Sequence, residues 1–382
     1  MIHGDADLMV HPSGGRATAD LIAGSRHVTI PGMRHHIAPG LTTRLTTLIA
    51  DHAQGLPVGD TDDPAGERRA RTRPVVAAVT GAGSGIGRAL ALELARRGAD
   101  LALCDVDADG LETTRVRAAE LGARVLTSVV DVSERAAVAA WARETVAHFG
   151  VVDQLYNNAG IGSGGRYVLD GDYDDLERSL AVNLWGVIHG TKEFLPHLIA
   201  SGAGVLVNIS SLNGVLAQPG LGPYVTAKFG VRGFTETVRA EMLTDGHPVA
   251  VTVVHPGGVK TDIATSRLEK ARLAGEVIGV EDEARTAFYN DHILLTEPED
   301  AATTILDGVA AGRPRVLIGA DARIIDAFVR ATPTLAVRGA VVLERLIRRS
   351  ARRLAESRAG EETPLGAPVV PATAVPDGGP PP

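Results

Sequence analysis

Seven short runs of aliphatic and β-branched residues recur between residues 74 and about 335, with helix-length segments among them. The runs are V-V-A-A-V-T (75–80), L-A-L-C (101–104), R-V-L-T-S-V-V (124–130), Q-L-Y-N (154–157), G-V-L-V-N-I-S (204–210), A-V-T-V-V-H (250–255) and R-V-L-I-G (315–319). Most are apolar throughout rather than alternating, so each strand must be covered on both faces. The segments between the early runs, such as Gly87–Arg97 and Arg135–Phe149, are long enough to be crossover helices. Right-handed crossovers between parallel strands then predict a doubly wound, seven-stranded parallel α/β sheet.

The rest of the 382 residues divides around that core. Residues 1–54 read as a short ordered piece. Residues 55–73 carry four acids and then four arginines, with two prolines and no apolar periodicity, which reads as a linker. The catalytic-sized unit spans 74–335, and a basic helix spans 336–358. Residues 359–382 hold seven of the 21 prolines, a composition expected to be disordered. The net charge of −8 argues against nucleic acid as a partner, because such binding rests on phosphate neutralisation. Cys104 is the only cysteine, which excludes an intramolecular disulfide and gives no metal site. The opening M-I-H-G-D-A-D has acids where a leader would be basic, and Pro196, Asn208, Pro219 and Pro223 interrupt the long uncharged stretch Phe194–Ala227. The expected location is cytoplasmic.

The first run enters T-G-A-G-S-G-I-G, Thr80 to Gly87, and a helix follows. Gly81, Gly85 and Gly87, with Ser84 and Ile86 between them, allow a tight turn and a close backbone approach to a pyrophosphate at a helix N-terminus. The strand before and the helix after make this a dinucleotide-binding, Rossmann-type loop. Asp105 ends the second run 24 residues after Gly81, where an acid would bond the adenosine ribose and repel a 2′-phosphate. NAD is therefore the expected cofactor, preferred over NADP. Two observations stand against this: Arg88 opens the helix as a positive charge, and Asp105 could instead be a helix cap, a role for which Asp107 and Asp109 compete.

Further along come N-N-A-G (157–160), N-I-S-S (208–211), Y-V-T-A-K (224–228) and H-P-G-G-V-K-T (255–261). With the glycine loop, in this order and spacing, they resemble the short-chain dehydrogenase/reductase family from residue 74 to about 320. Tyr224 and Lys228 stand at i and i+4 and share a helix face. A phenol is a poor base near neutral pH, and a neighbouring ammonium together with an oxidised nicotinamide would favour the phenolate. The resemblance implies that Tyr224 exchanges a proton with an alcohol or ketone while a nicotinamide exchanges hydride. It implies that Lys228 reaches the nicotinamide ribose, that Ser211 bonds the substrate oxygen, and that Asn183 of N-L-W-G holds a proton-relay water. Asp131 and Val132 would meet adenine. Asn157, Asn158, Ala159 and Gly160 would line the cofactor, and Pro256, Gly257, Val259 and Thr261 would meet its nicotinamide end. Out of this context, the Tyr–Lys pair would be a surface pair, Ser211 a turn residue and Asn183 a buried helix polar group.

The substrate is expected to be a small-molecule alcohol or ketone. Residues 262–297 should form a helical lid, and Leu212, Leu216, Pro219 and Gly220 would give the active site an apolar flank. Residues 1–53 carry I-H-G-D-A-D-L-M-V and V-T-I-P-G-M-R-H-H, which resemble the last strands of an α/β-hydrolase. Asp7 and His35 match that fold's triad acid and base, Arg34 replaces a small residue, and no G-x-S-x-G supplies a nucleophile. Between residues 338 and 358, seven arginines face two glutamates, a local net of +5, around Leu343, Leu346, Ile347 and Leu354. Packing of this helix on its own domain or on a subunit neighbour is favoured over an anionic membrane.

The leading expectation is an NAD(P)-dependent alcohol dehydrogenase or ketoreductase, assembled as a homodimer or homotetramer. The rivals are the end of a bifunctional hydrolase–dehydrogenase and a non-enzymatic NAD-sensing module. Sequence upstream of Met1 separates the first rival. An intact proton-transfer set speaks against the second.

Overall fold

The computed structural model describes residues 2–4, 28–30, 73–163, 165–261 and 294–361. At the start, β1 (Ile2–Gly4) and β2 (Val28–Ile30) pair in parallel. Asp7 and His35 lie outside the described residues, as do the linker up to residue 72, the lid segment 262–293 and the tail from residue 362.

The main unit follows the predicted alternation. Strand β3 (Val76–Thr80) leads into α1 (Gly85–Arg96), β4 (Asp100–Asp105), α2 (Ala108–Glu120), β5 (Val125–Val129), α3 (Arg135–Phe149) and β6 (Gln154–Asn157). Then come α4 (Tyr173–Leu180), a π-helical turn (Ala181–Trp185), α5 (Gly186–Ala200), β7 (Gly204–Ile209) and α6 (Gly222–Thr244). The last described elements are β8 (Val249–Pro256), α7 (Pro298–Ala310), β9 (Arg315–Ile318), α8 (Ala320–Ala331) and α9 (Pro333–Glu361). All seven strands of the main sheet pair in parallel, in the order β5-β4-β3-β6-β7-β8-β9. The strand order reverses between β3 and β6, so a crevice opens there beyond the carboxyl ends of the strands.

The two-residue repeat of a strand divides the core into two layers. Ala77 and Val79 of β3, with Leu101 and Leu103 of β4, join Leu90 and Leu94 of α1 and Ile305 of α7 on one face. Ala78, Ala102 and Cys104 join Trp141 of α3, Phe194 and Leu198 of α5 and Val238 of α6 on the other. Trp141 and Phe194 meet edge to face at 4.8 Å between ring centres. Burial of Cys104 pushes its thiol well above the usual range, which leaves it an inert core residue.

The first described residue before β3 is tied to the sheet. The guanidinium of Arg73 grips the buried carboxylate of Asp153 with two bonds, Nη1 to Oδ2 at 2.6 Å and Nη2 to Oδ1 at 2.9 Å. Asp153 also accepts from the backbone N–H of Val76, so the pair anchors the start of β3 beside β6. Arg73→Ala is expected to lower the unfolding free energy by about 1–2 kcal/mol, since the arginine is half exposed but its partner is buried. A denaturant melt checks this, and an unchanged midpoint would show that the clamp contributes nothing.

Candidate active site

The glycine loop and N-N-A-G meet where the sheet order reverses. Thr80 ends β3, and its hydroxyl oxygen accepts from the backbone N–H groups of Asn158 and Ala159, both at 3.0 Å. The side-chain amide of Asn158 donates back to the carbonyls of Thr80 and Gly81, at 3.1 and 3.2 Å. Asn158 therefore fastens the loop. Asn157 points the other way: it is buried, and its amide donates to Asn208 at 2.8 Å and Thr191 at 3.2 Å. The alternation of β6 puts it under α5 and not in the cleft, contrary to the lining role expected for it.

Helix α1 starts as an anion site should. Ser84 is its N-cap residue but makes no side-chain capping bond, and the first turn holds no acid. The leading N–H groups of Gly85, Ile86 and Gly87 therefore face the crevice without a built-in anion. Gly85 has φ +50°, a conformation that favours glycine, and a side-chain carbon added there would crowd the Thr261 methyl at 3.1 Å. Asp105 lies beside the loop and is not a helix cap; Asp107 caps α2 by accepting from Gly110. Asp105 accepts from Gly83 N–H at 2.7 Å and Asp107 N–H at 3.0 Å. Arg88 is not a free charge, because its guanidinium bonds the Gly83 carbonyl, Gly110 O and Thr114 Oγ1.

The other expected cofactor residues follow the carboxyl ends of β5 and β8. Asp131 is exposed after β5, where its carboxylate binds Ser133. Val132 is buried against Gly186. Past β8, the Pro256–Gly257 turn is braced by Gly257 N–H to Ile318 O at 3.0 Å and by Gly258 N–H to Asp321 at 2.9 Å. Val259 is buried and bridges to Thr296. Sequence reasoning missed Thr80, Asp321 and the partners of Arg88, because each acts on backbone groups that no residue spacing reveals.

Asn183 and Lys228, two of the expected catalytic residues, meet at Gly160. A side-chain carbon there would stand 2.9 Å from Asn183 Oδ1 and 3.6 Å from Lys228 Nζ, so only glycine lets both approach. Asn183 sits in the π-helical turn, a feature common at functional sites. Its Oδ1 accepts from Ile161 N–H at 2.9 Å, and its Nδ2 donates to Ile161 O at 3.0 Å. Tyr224 and Lys228 lie in the first two turns of α6, which Pro223 opens. Ser210 Oγ donates to Lys228 O at 2.8 Å, and Lys228 Nζ donates to Ile209 O at 3.0 Å. This reciprocal pair locks the end of β7 to α6 and holds Ser211 close enough to hydrogen-bond Tyr224.

Electrostatics at the site run against the simple expectation for the phenol. Burial raises the pKa of Tyr224 and the hydrogen bond with Ser211 pulls it down, with burial prevailing. The residue keeps partial exposure along the cleft. Lys228 Nζ lies 5.6 Å from the Tyr224 ring centre and is nearly buried, so its own pKa falls to about 8. His255 is fully buried beneath Ser211, with Nδ1 2.9 Å from the Ser211 carbonyl. Burial lowers its pKa as well, which keeps it neutral. A neutral ring facing a carbonyl must carry its proton on Nδ1.

The rim of the cleft is tied to α9. Gly165 N–H bonds Gly220 O at 2.6 Å, and Val168 packs on Gly222, two residues before Tyr224. Tyr167 of the same loop lies under the guanidinium of Arg348, 4.6 Å from its ring centre, and Arg348 pairs with the buried Glu344 at 2.9 Å. Leu216 packs on Ala336 and Ala340 of α9.

The profile described as short chain dehydrogenase matches residues 75–272. The chain belongs to the short chain dehydrogenase family. It is 52% identical over 255 residues to a Mycobacterium tuberculosis protein named as the oxidoreductase SadH, covering 67% of this chain and 90% of that one. Among solved structures, it is similar to a short chain dehydrogenase/reductase from Burkholderia phymatum in complex with NAD, at 31% identity and TM-score 0.63 over 69% of this chain and 95% of the other. It is also similar to an actinorhodin polyketide ketoreductase with NADPH, at 29% identity and TM-score 0.55 over 64% and 95%. This short chain dehydrogenase is an NAD(P)-dependent oxidoreductase acting on CH–OH groups.

A buried lysine destabilises the fold that holds it. The unfolded chain protonates Lys228 below about 10.5 and the folded chain only below about 8. Stability should therefore rise with pH from about 8 to 10.5 and carry the full penalty below that window. Lys228→Met should raise the unfolding free energy at pH 7 by about 2 kcal/mol and remove the alkaline rise. Melts at pH 7 and pH 10 check both. A variant less stable than the parent would show that the bond to Ile209 O outweighs the desolvation.

Proposed function

We propose that this enzyme interconverts a hydrophobic secondary alcohol and its ketone, with Tyr224 as the acid/base. The observation that carries the reading is the cluster in which Asn183 and Lys228 meet at Gly160, Tyr224 lies beside Lys228 and Ser211 beside Tyr224. The residues present fit a nicotinamide dinucleotide, with the α1 N-terminus and Thr261 for its phosphates, Asp105 for the adenosine ribose and Lys228 for the nicotinamide ribose. When bound, that cofactor supplies or accepts the hydride.

The chain's own groups handle the proton. In the free enzyme the Tyr224 phenol is protonated at neutral pH, which suits donation to a ketone oxygen. Ser211 binds the same oxygen and fixes it within reach of the phenol. For oxidation the phenol must ionise, and Lys228, still mostly charged at pH 7, stabilises the phenolate from across the ring face. His255 holds the Ser211 backbone from below. Asn183, locked to Ile161, is placed to position a water toward Lys228 that returns the proton to solvent.

Asp105 supports a preference for NAD. Its carboxylate would face a 2′-phosphate with like charge, and Arg88, which could offset that, is engaged by three partners. The reading also includes self-association as a homodimer or homotetramer, for which Trp185 and Phe229 offer exposed aromatic positions near the α5–α6 side. For residues 1–54 it retains the resemblance to the last strands of an α/β-hydrolase, either as a remnant or as the end of a longer hydrolase–dehydrogenase.

Tyr224→Phe should reduce turnover at least about 100-fold, the scale of a lost general acid–base, with NADH affinity little changed. Steady-state rates on an active alcohol, paired with NADH titration, check this; near-normal turnover would refute the assignment. Asp105→Asn should narrow the ratio of kcat/KM for NAD over NADP by about tenfold, as expected for removing a like-charge contact. If the parent used both cofactors equally, the role of Asp105 would be wrong.

A further inference from the structure

Helix α9 has two differently built faces. Its inner face packs on the enzyme through Ala336, Ala340 and Glu344, against Leu216, Ile325 and Val329. Its outer face carries Leu335, Val342 and Leu346, each more than half exposed. These stand at i, i+7 and i+11, which on a helix is one line along one side. Arg338, Arg345 and Arg349 repeat the same spacing three residues later, so an arginine row runs along one flank of the apolar line. Phe328 of α8 borders the other flank: a methyl placed on Gly339 would touch its ring at 3.8 Å, and Phe328 is itself exposed. Ile324, one turn earlier on α8, is exposed as well.

We propose that this outer face docks on the surface of an anionic lipid bilayer. An apolar stripe flanked by arginines matches a helix lying in a headgroup layer, with the aliphatic side chains among the acyl ends and the guanidinium groups at the phosphates. Charge selects this occupant over a second copy. The segment 338–358 is +5 in a chain of net −8, and an antiparallel two-fold contact through this face would set each arginine row against its twin. Among the described residues, no helix is long and apolar enough to cross a membrane, so the contact is peripheral. The loop carrying Tyr167, with Val168 and Leu169 exposed, meets the same helix at Arg348, on the side away from the stripe.

The full chain is tested by flotation with vesicles of pure phosphatidylcholine and of equal parts phosphatidylcholine and phosphatidylglycerol. Binding to the anionic vesicles alone, weakened by salt, is expected. The combined change Arg338→Glu, Arg345→Glu and Arg349→Glu should weaken it at least about tenfold. The combined change Leu335→Ser, Val342→Ser and Leu346→Ser should weaken it comparably, with circular dichroism melts confirming that both variants fold. No binding to anionic vesicles at low salt, equal binding to neutral ones, or undiminished binding by the arginine variant would overturn the proposal. So would a drop in solution mass on the serine changes, which would make the stripe a subunit interface. None of these readouts depends on turnover, so they stand apart from the assignment of Tyr224.

Discussion

The hydroxyl of Thr80 joins the two halves of this enzyme. It accepts from the backbone of Asn158 and Ala159, 78 and 79 residues further along the chain. Without that junction, the glycine loop would be an ordinary turn at the end of β3, and N-N-A-G an ordinary exit from β6. With it, the start of α1 and the floor of the proton-transfer site become one rigid wall of the same crevice. The amide of Asn158 closes the tie from the other side by holding the Thr80 and Gly81 carbonyls. All four contacts involve backbone groups at strand ends, which would otherwise lack ladder partners. The sheet order thus creates the crevice, and one threonine and one asparagine keep it in register.

A second tie works the same way on the catalytic side. Ser210 and Lys228 exchange bonds with each other's backbone neighbourhoods, so β7 and α6 move together. Here the fold accepts unfavourable burial. Lys228 and His255 are both charge-bearing types held where their charged forms are disfavoured. Nε2 of His255 has no hydrogen-bond partner among the described residues. Such groups destabilise the core that holds them and cluster at functional sites; here both stand beside Ser211, Lys228 on the Tyr224 side and His255 under its carbonyl. The raised Tyr224 pKa has the same origin, and it leaves the positive charge that favours the phenolate to come from Lys228 and a bound oxidised cofactor.

Much of this was legible in the sequence because it rests on periodicity and spacing. The seven apolar runs became the seven strands of the sheet, with ends moved by a residue or so. Tyr224 and Lys228 had to share a face once a helix formed. What spacing could not show was the direction in which adjacent residues turn. Asn157 and Asn158 are neighbours in the motif, yet strand alternation buries the first under α5 and sends the second to the loop. Leu216, expected on the flank of the site, packs on α9. Arg88, read as a positive charge opening the helix, stitches the loop to α2. Arg73 read as the end of a linker, because its partner Asp153 lies 80 residues away and no local pattern joins them.

Helix α9 shows why composition alone could not decide between two readings of one segment. Its arginines and aliphatic residues suggested either packing on the domain or a charged amphipathic surface. A helix long enough to pack with one side has another side left over, and here the two sides differ in chemistry. Small residues on the inner line, Ala336 and Ala340, let the backbone approach the enzyme closely, while the larger Leu335, Val342 and Leu346 remain outside. Leu335, Val342 and Leu346 keep apolar area exposed in an otherwise acidic protein, with arginines spaced to match it. The same helix also reaches the rim of the cleft, through Arg348 on Tyr167 and Leu216 on Ala336. An event on its outer face is therefore two contacts away from the loop that packs on Gly222, at the start of the helix that carries Tyr224.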